Sequence, residues 1–229
     1  MEKKILFYPC CGDDDWKEAF KVFESDIDLF IFSDIKDLTR KIKLNIFGYQ
    51  LKEDLITIES GKQRRYDREL KSFREIEVLK IIKKYISKKN EQFKEIHFYR
   101  DNAQYVLNDL ENNSIDIFFH RGDSPGEGGS NLYFLEENKY LSKPYDDNFG
   151  DLYDVLAQKL KNSSRVVTDG SNSTKYEIKK FHDQKYLPED TKSSMIGSNF
   201  SDKYFNWKCT NFISDRYGPT FIWELESKN

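Results

Sequence analysis

The sequence IDIFFHRGDSPGEGGSN, residues 115–131, is an apolar run followed by a loop that holds four of the chain's eleven glycines. Ile115 to Phe119 is rich in β-branched and aromatic residues, which is typical of a buried strand. The change to Gly, Asp and Ser directly after it predicts that the strand ends in a flexible polar loop. In an open α/β sheet, ligands bind at the carboxyl ends of the strands. This stretch therefore predicts an α/β fold with a ligand site at the end of this strand.

Two earlier apolar runs end in the same way. Ile5 to Tyr8 leads into Pro9-Cys10-Cys11-Gly12-Asp13, and Leu29 to Phe32 leads into Ser33-Asp34. Between them, residues 14–23 have an acidic start and apolar residues at helical spacing. This strand, helix, strand order predicts parallel strands joined by a right-handed crossover.

The same patterns predict the remaining elements of a single domain over residues 1–229. Residues 42–67 break the strand and helix alternation and predict an inserted hairpin. Apolar residues at intervals of three and four predict a long amphipathic helix over 68–89. The other predicted elements are strands at 95–99 and 165–168, helices at 103–110 and 151–161, and a terminal antiparallel pair at 205–210 and 221–225.

Composition restricts the partners that this chain is expected to have. The 37 basic and 40 acidic side chains give a formal net charge of −3, so no global attraction to nucleic acid or anionic lipid is expected. Nucleic-acid contact is possible but not favoured: Gln63–Arg68 is a local basic patch that could touch phosphates, and such a run is more often a solvated surface. We expect no membrane contact and a cytoplasmic location, since no stretch approaches a membrane span and the three cysteines form no disulfide framework.

The order of five strand-to-helix units followed by a terminal antiparallel pair resembles the Rossmann-like fold of S-adenosylmethionine-dependent methyltransferases. The resemblance covers most of the chain. It implies an α/β three-layer sandwich, with a mostly parallel sheet that carries the C-terminal antiparallel strand pair and the inserted hairpin. It also implies S-adenosylmethionine, or a related adenosine-containing ligand, as the cofactor.

The resemblance implies a cofactor side made of the turns after the first three strands. The turn after the first strand would lie against the methionine part of the cofactor. Asp34 would accept hydrogen bonds from the ribose hydroxyls, and Asp101 would lie near the adenine amino group. The structural alternative is that each aspartate caps the helix that follows it. The residues expected in the first turn are Pro9, Cys10, Gly12 and Asp13.

The loop after the fourth strand would hold the methyl acceptor. His120, Asp123 or Glu127 would remove a proton from the acceptor if the reaction requires it. The Asn-Pro-Pro-Tyr and Asp-Pro-Pro-Tyr sequences of amino-methylating enzymes are absent from the chain. The alternative is a structural turn. The other residues expected to line this loop are Arg121, Gly126, Gly128, Gly129, Ser130 and Asn131.

Two other classes of function stay open. The chain could be a non-catalytic interaction protein that keeps the sheet without a cofactor cleft. It could also be a metal-dependent nucleotide-processing enzyme with a cation held by Asp13, Asp34 and Asp123, although no recognised metal-ligand spacing is present. In the leading interpretation, a methyltransferase-like protein, the expected partner is a small nucleoside-type ligand.

Overall fold

The structure is a computed structural model that describes residues 2–9, 11, 15–34, 46–67, 72–121, 152–169, 200–201, 203–215 and 218–228. Contacts along the chain divide it into two compact units, Met1–Glu111 and Asn112–Asn229. Within the described ranges, no helix is both long enough and apolar enough to cross a membrane.

Unit 1 contains a sheet with the strand order β3-β4-β5-β2-β1 and two described helices. Its elements in chain order are β1 (Ile5–Pro9), α1 (Asp15–Phe23), β2 (Leu29–Asp34), β3 (Tyr49–Asp67), β4 (Ser72–Ser87), β5 (Phe93–Arg100) and α2 (Ala103–Asp109).

The parallel part of this sheet forms as the sequence predicts. Strand β1 pairs with β2 in parallel, and β2 pairs with β5 in parallel. Helix α1 packs on one face of the sheet, because Trp16 and Phe20 lie one helical turn apart on its apolar side. The Trp16 ring lies 5.3 Å from that of Phe98 and 5.9 Å from that of Phe32, and the Phe20 ring lies 4.7 Å from that of Phe30. Burial of these aromatic rings explains why this part of the sheet is the core of unit 1.

The hairpin of β3 and β4 replaces the predicted long helix over 68–89, which is wrong. Strand β4 pairs with β3 on one side and with β5 on the other, antiparallel in both cases. Its burial alternates: Ile81 and Tyr85 are buried, whereas Ile82 between them is half-buried. The intervals of three and four in this run also fit a period of two, and strand pairing with distant segments selects the strand. Residues 49–67 likewise form one long strand instead of the end of an inserted hairpin at 42–67.

Unit 2 contains a sheet with the strand order β6-β7-β10-β9-β8. Strands β6 and β7 are parallel, and the other three pairings are antiparallel. The predicted terminal antiparallel pair is confirmed, and it is longer than expected. The elements are β6 (Ile115–Arg121), α3 (Leu152–Lys159), β7 (Leu160–Asp169), β8 (Phe200–Ser201), β9 (Phe205–Asp215) and β10 (Gly218–Ser227).

The prediction of a Rossmann-like three-layer α/β sandwich is wrong. The described residues lie mostly in strands, most strand pairings are antiparallel, and the described part of the chain has three short helices. The physical reason is the length of the hairpin strands: β3 spans 19 residues and β4 spans 16. Those segments form sheet where the predicted fold requires a covering helix.

Candidate ligand site

Asp34 and Asp101 lie next to each other, at the carboxyl ends of neighbouring parallel strands in unit 1. Asp34 is the last residue of β2 and pairs with Arg100, the last residue of β5. The backbone N–H of Asp101 donates to the backbone carbonyl of Asp34 at 3.1 Å. Asp34 is 8% exposed and Asp101 is 6% exposed. The sequence thus indicated two carboxylates that do share one edge of the sheet.

The Asp101 carboxylate is held by an arginine from the hairpin. Arg65 donates from Nε to Oδ1 at 2.6 Å and from Nη2 to Oδ2 at 3.1 Å. The Arg65 guanidinium also lies 3.8 Å from the centre of the Tyr105 ring on α2. Two parallel hydrogen bonds to a carboxylate combined with stacking on an aromatic ring is a geometry that arginine can make and lysine cannot.

Asn102, and not Asp101, caps helix α2. The Asn102 side-chain oxygen accepts from the backbone N–H of Gln104 at 3.0 Å. Asp101 Oδ1 accepts instead from the backbone N–H of Asn102 at 2.8 Å. The capping alternative for Asp101 is therefore wrong, and its carboxylate joins the helix start to the hairpin. For Asp34, the residues of any following helix lie outside the described ranges.

The end of β1 contributes backbone and buried side chains to the same edge. The Cys11 N–H donates to the carbonyl of Ser33 at 3.2 Å, and Cys11 is fully buried. Within the described ranges, two buried side-chain atoms at this end of β2 have no hydrogen-bond partner: the Ser33 hydroxyl and the Trp16 indole nitrogen. Pro9 is the last residue of β1. Cys10, Gly12 and Asp13, the other residues predicted to contact the cofactor, lie outside the described residues.

The predicted acceptor loop is described only at its first two residues. His120 and Arg121 end strand β6 in unit 2, where their backbones pair with Thr168 and Asp169. The other residues of that prediction lie outside the described ranges: Asp123, Glu127, Gly126, Gly128, Gly129, Ser130 and Asn131.

The metal alternative has no support among the described residues, which contain no group of three His, Cys, Asp or Glu side chains able to hold an ion. Two of the three predicted ligands, Asp13 and Asp123, lie outside those residues. Asp34 is the remaining one.

Sequence reasoning missed the role of Arg65. The patch Gln63–Arg68 was interpreted as a possible phosphate contact, but alternation along β3 separates Arg64 from Arg65, and Arg68 lies outside the described residues. Arg65 points toward Asp101, whereas the guanidinium of exposed Arg64 lies 4.6 Å from the centre of the Phe73 ring. The available signal was the strand period of two, which places neighbouring arginines on opposite faces.

A second polar cluster in unit 1 was also missed. His97 is 9% exposed, and its Nε2–H donates to Glu95 Oε1 at 2.5 Å. Lys3 donates to the other Glu95 oxygen at 2.6 Å. Burial lowers the pKa of His97, although the bond to Glu95 opposes this effect. Burial raises the pKa of Glu95, but the bonds from Lys3 and His97 outweigh it and the pKa is lowered.

Unit 2 has an open polar pocket of about 610 Å³ beside the bulge in β7. Ser163 in that bulge has a positive φ of 67°, a backbone conformation that is uncommon for residues other than glycine. The charged side chains of the pocket, Lys208, Glu224 and Glu226, are exposed. Exposed charges are well solvated, so this pocket is a weaker candidate than the edge of unit 1.

The sequence matches no protein-family model and no curated protein. Functional inference for this chain therefore depends on its residues and their geometry.

Proposed function

We propose that this chain binds an adenosine-containing ligand at the carboxyl ends of β1, β2 and β5, and that S-adenosylmethionine-dependent methyl transfer is the reaction it serves. The observation that carries the proposal is the burial of Asp34 at the end of β2, beside the end of β5. Three parallel strands end at this edge, and the ends of parallel strands are common places for ligands.

The chemistry of Asp34 suits a nucleoside. An ionised carboxylate only accepts hydrogen bonds, and its two oxygens match the two hydroxyl donors of a ribose ring. Hydrogen bonds to an ionised group are about twice as strong as neutral ones. Pairing in β2 fixes the backbone of Asp34, so binding at this residue requires no ordering of the backbone.

The sequence offers His120, Asp123 and Glu127 as groups that could remove a proton from the methyl acceptor. Methyl transfer needs the acceptor nucleophile in line with the methyl group, so positioning supplies most of the catalysis.

Isothermal titration with S-adenosylmethionine, S-adenosylhomocysteine and adenosine tests the binding step. We expect micromolar binding of the wild-type protein and at least a roughly tenfold loss of affinity for Asp34→Asn, because the amide keeps only one acceptor oxygen and no charge. Asp109→Asn is the matched control, since Asp109 is exposed near the end of α2. Equal affinities for Asp34→Asn and the wild-type protein, or no binding at all, would contradict the proposal.

A second candidate is an interaction protein that pairs through strand β3. β3 is an edge strand of the unit 1 sheet, and it exposes Leu51, Leu55 and Ile56 by 40%, 51% and 61%. Exposed edge strands with apolar side chains are sites where other strands add. Sedimentation analysis of the wild-type protein and of Ile56→Lys tests this candidate with a second copy as partner. Self-association that the substitution removes would favour it, and a monomer at all concentrations would count against it.

A further inference from the structure

The outer part of the hairpin extends past the end of β5. Strand β4 pairs with β5 only from Leu79 to Ile86, so residues 72–77 pair with β3 alone. We call residues 62–67 and 72–78 the outer hairpin. Ile76 is 5% exposed and Val78 is 3% exposed, so apolar burial holds the outer hairpin in place.

Arg65 projects from this outer hairpin onto Asp101. A carboxylate offers about four lone-pair positions. Arg65 Nε, Arg65 Nη2 and the backbone N–H of Asn102 use three of them. The Arg65 side chain is 12% exposed and that of Asp101 is 8% exposed, so solvent screens their attraction only weakly. A ligand amino group can replace the guanidinium at Asp101 only if one or both of the Arg65 hydrogen bonds break.

We propose that Arg65 is an autoinhibitory side chain of the adenosine site. This inference rests on the proposed function. The ion pair keeps Asp101 occupied in the ligand-free protein, and the ligand amino group takes Asp101 when the guanidinium leaves it. The outer hairpin stays folded during this exchange, because Ile76 and Val78 remain buried.

The competition has a measurable consequence. When only a fraction of the protein has a binding-competent site, the apparent dissociation constant is the intrinsic one divided by that fraction. Weakening the Arg65 contact raises the fraction, so the affinity for adenosine compounds increases. If Arg65 instead orients Asp101 for the ligand, the same change lowers the affinity. The two roles therefore predict opposite changes in affinity when the Arg65 contact is weakened.

Titration of four proteins with S-adenosylhomocysteine and adenosine separates these outcomes. They are the wild-type protein, Arg65→Gln, Arg65→Lys and the control Arg64→Gln, whose side chain lies on Phe73. We expect binding to tighten by about tenfold for Arg65→Gln, which loses the charge. The gain should be smaller for Arg65→Lys, which keeps the charge but cannot make two parallel hydrogen bonds to the carboxylate. Arg64→Gln should match the wild-type protein, and in a fifth protein the addition of Asp101→Asn to Arg65→Gln should remove the gain in affinity.

Each result decides the inference. Suppose that the wild-type protein binds the ligand and that this binding requires Asp34. If Arg65→Gln and Arg65→Lys then bind no more tightly than the wild-type protein, autoinhibition is overturned and the proposed function stands. Absence of binding in every protein would overturn both. If thermal unfolding shows that Arg65→Gln is unfolded, Arg65→Lys decides whether the affinity rises or falls, since it retains a cation beside Asp101.

Discussion

Strands β2 and β3 belong to the same sheet of unit 1 but occupy opposite environments. Every residue of β2 is buried, because β2 lies between β1 and β5 and helix α1 packs on one of its faces. Strand β3 lies at the edge of the sheet, and residues 51–57 in it are all exposed. The central strand is held by aromatic packing and the edge strand by hydrogen bonds and ion pairs.

Burial determines how strongly each of these contacts stabilises the sheet. Phe32 has four aromatic neighbours at ring distances of 5.2–6.2 Å, and packing of this kind is insensitive to salt. The hairpin depends on ion pairs whose burial differs widely. The Arg65–Asp101 pair is shielded, whereas the Lys84–Glu53 pair is 38% and 47% exposed.

The largest effect is expected from Phe32→Ala. Removing this fully buried ring leaves a cavity among its neighbours and should lower the free energy of unfolding by about 3–5 kcal/mol. Phe93→Ala is the matched control, because Phe93 is 65% exposed, and it should cost less than about 0.5 kcal/mol. Urea unfolding followed by tryptophan fluorescence measures both. Similar losses for the two variants would show that β2 is not the core of unit 1.

Asp101→Ala should have the next largest effect. It leaves the Arg65 guanidinium partly buried without its carboxylate, and we expect a loss of about 2–3 kcal/mol, below the range for fully buried pairs. Asp109→Ala, at the exposed end of helix α2, is the control and should change the free energy of unfolding by less than about 0.5 kcal/mol. A loss for Asp101→Ala as small as that of its control would mean that the hairpin is not held by this pair.

The pH dependence of stability tests the His97 and Glu95 cluster. The pKa of His97 is lowered in the folded protein, so the unfolded chain binds its proton more tightly. Its contribution to the free energy of unfolding is therefore complete above pH 6.5 and decreases as the pH falls below that value. Glu95 acts in the same direction below pH 4.5, since its pKa is also lowered.

Chemical unfolding across pH 4–7 should show a smaller slope for His97→Gln than for the wild-type protein between pH 6.5 and 5, roughly the range in which histidine titrates. Glu95→Gln should reduce the slope at the acidic end of this range but not between pH 6.5 and 5, because losing the bond to Glu95 lowers the pKa of His97 further. Parallel curves for His97→Gln and the wild-type protein would show that His97 binds protons equally well in both states.

The smallest effect is expected from the exposed pair on the hairpin. Lys84→Ala should lower the free energy of unfolding less than the other substitutions do, because solvent screens the Lys84–Glu53 contact. Raising the salt concentration should erase this difference. A loss comparable to that of Asp101→Ala would contradict the ranking by burial.

Local pattern predicted the parallel part of the sheet well, for a physical reason. Ile5–Pro9 and Leu29–Asp34 are short apolar runs bounded by turn residues, and a buried parallel strand requires that composition. Helix α1 was predicted from an acidic first turn and one apolar face. The antiparallel pair of β9 and β10 was predicted from aromatic runs on both sides of a Gly-Pro turn. In these segments, local preference and tertiary environment favour the same structure.

The hairpin could not be predicted in this way. Residues 72–87 have apolar positions that fit both a helix and a strand, and their many lysines and glutamates favour a helix by propensity. The strand is selected by backbone pairing to β3 on one side and β5 on the other. Such pairing joins residues far apart in sequence, so no local window contains it.

The candidate site also has one part that the local sequence indicated and one part that long-range pairing decided. Residue types alone indicated that Asp34 and Asp101 each follow a strand, because a carboxylate after an apolar run is visible in the sequence. That Arg65 neutralises Asp101 depended on the hairpin folding back past the end of β5. The chain order thus determined which groups reach this edge of the sheet, whereas the long-range register of β3 and β4 decided that Arg65 pairs with Asp101, since only folding brings charges 36 residues apart within hydrogen-bond distance.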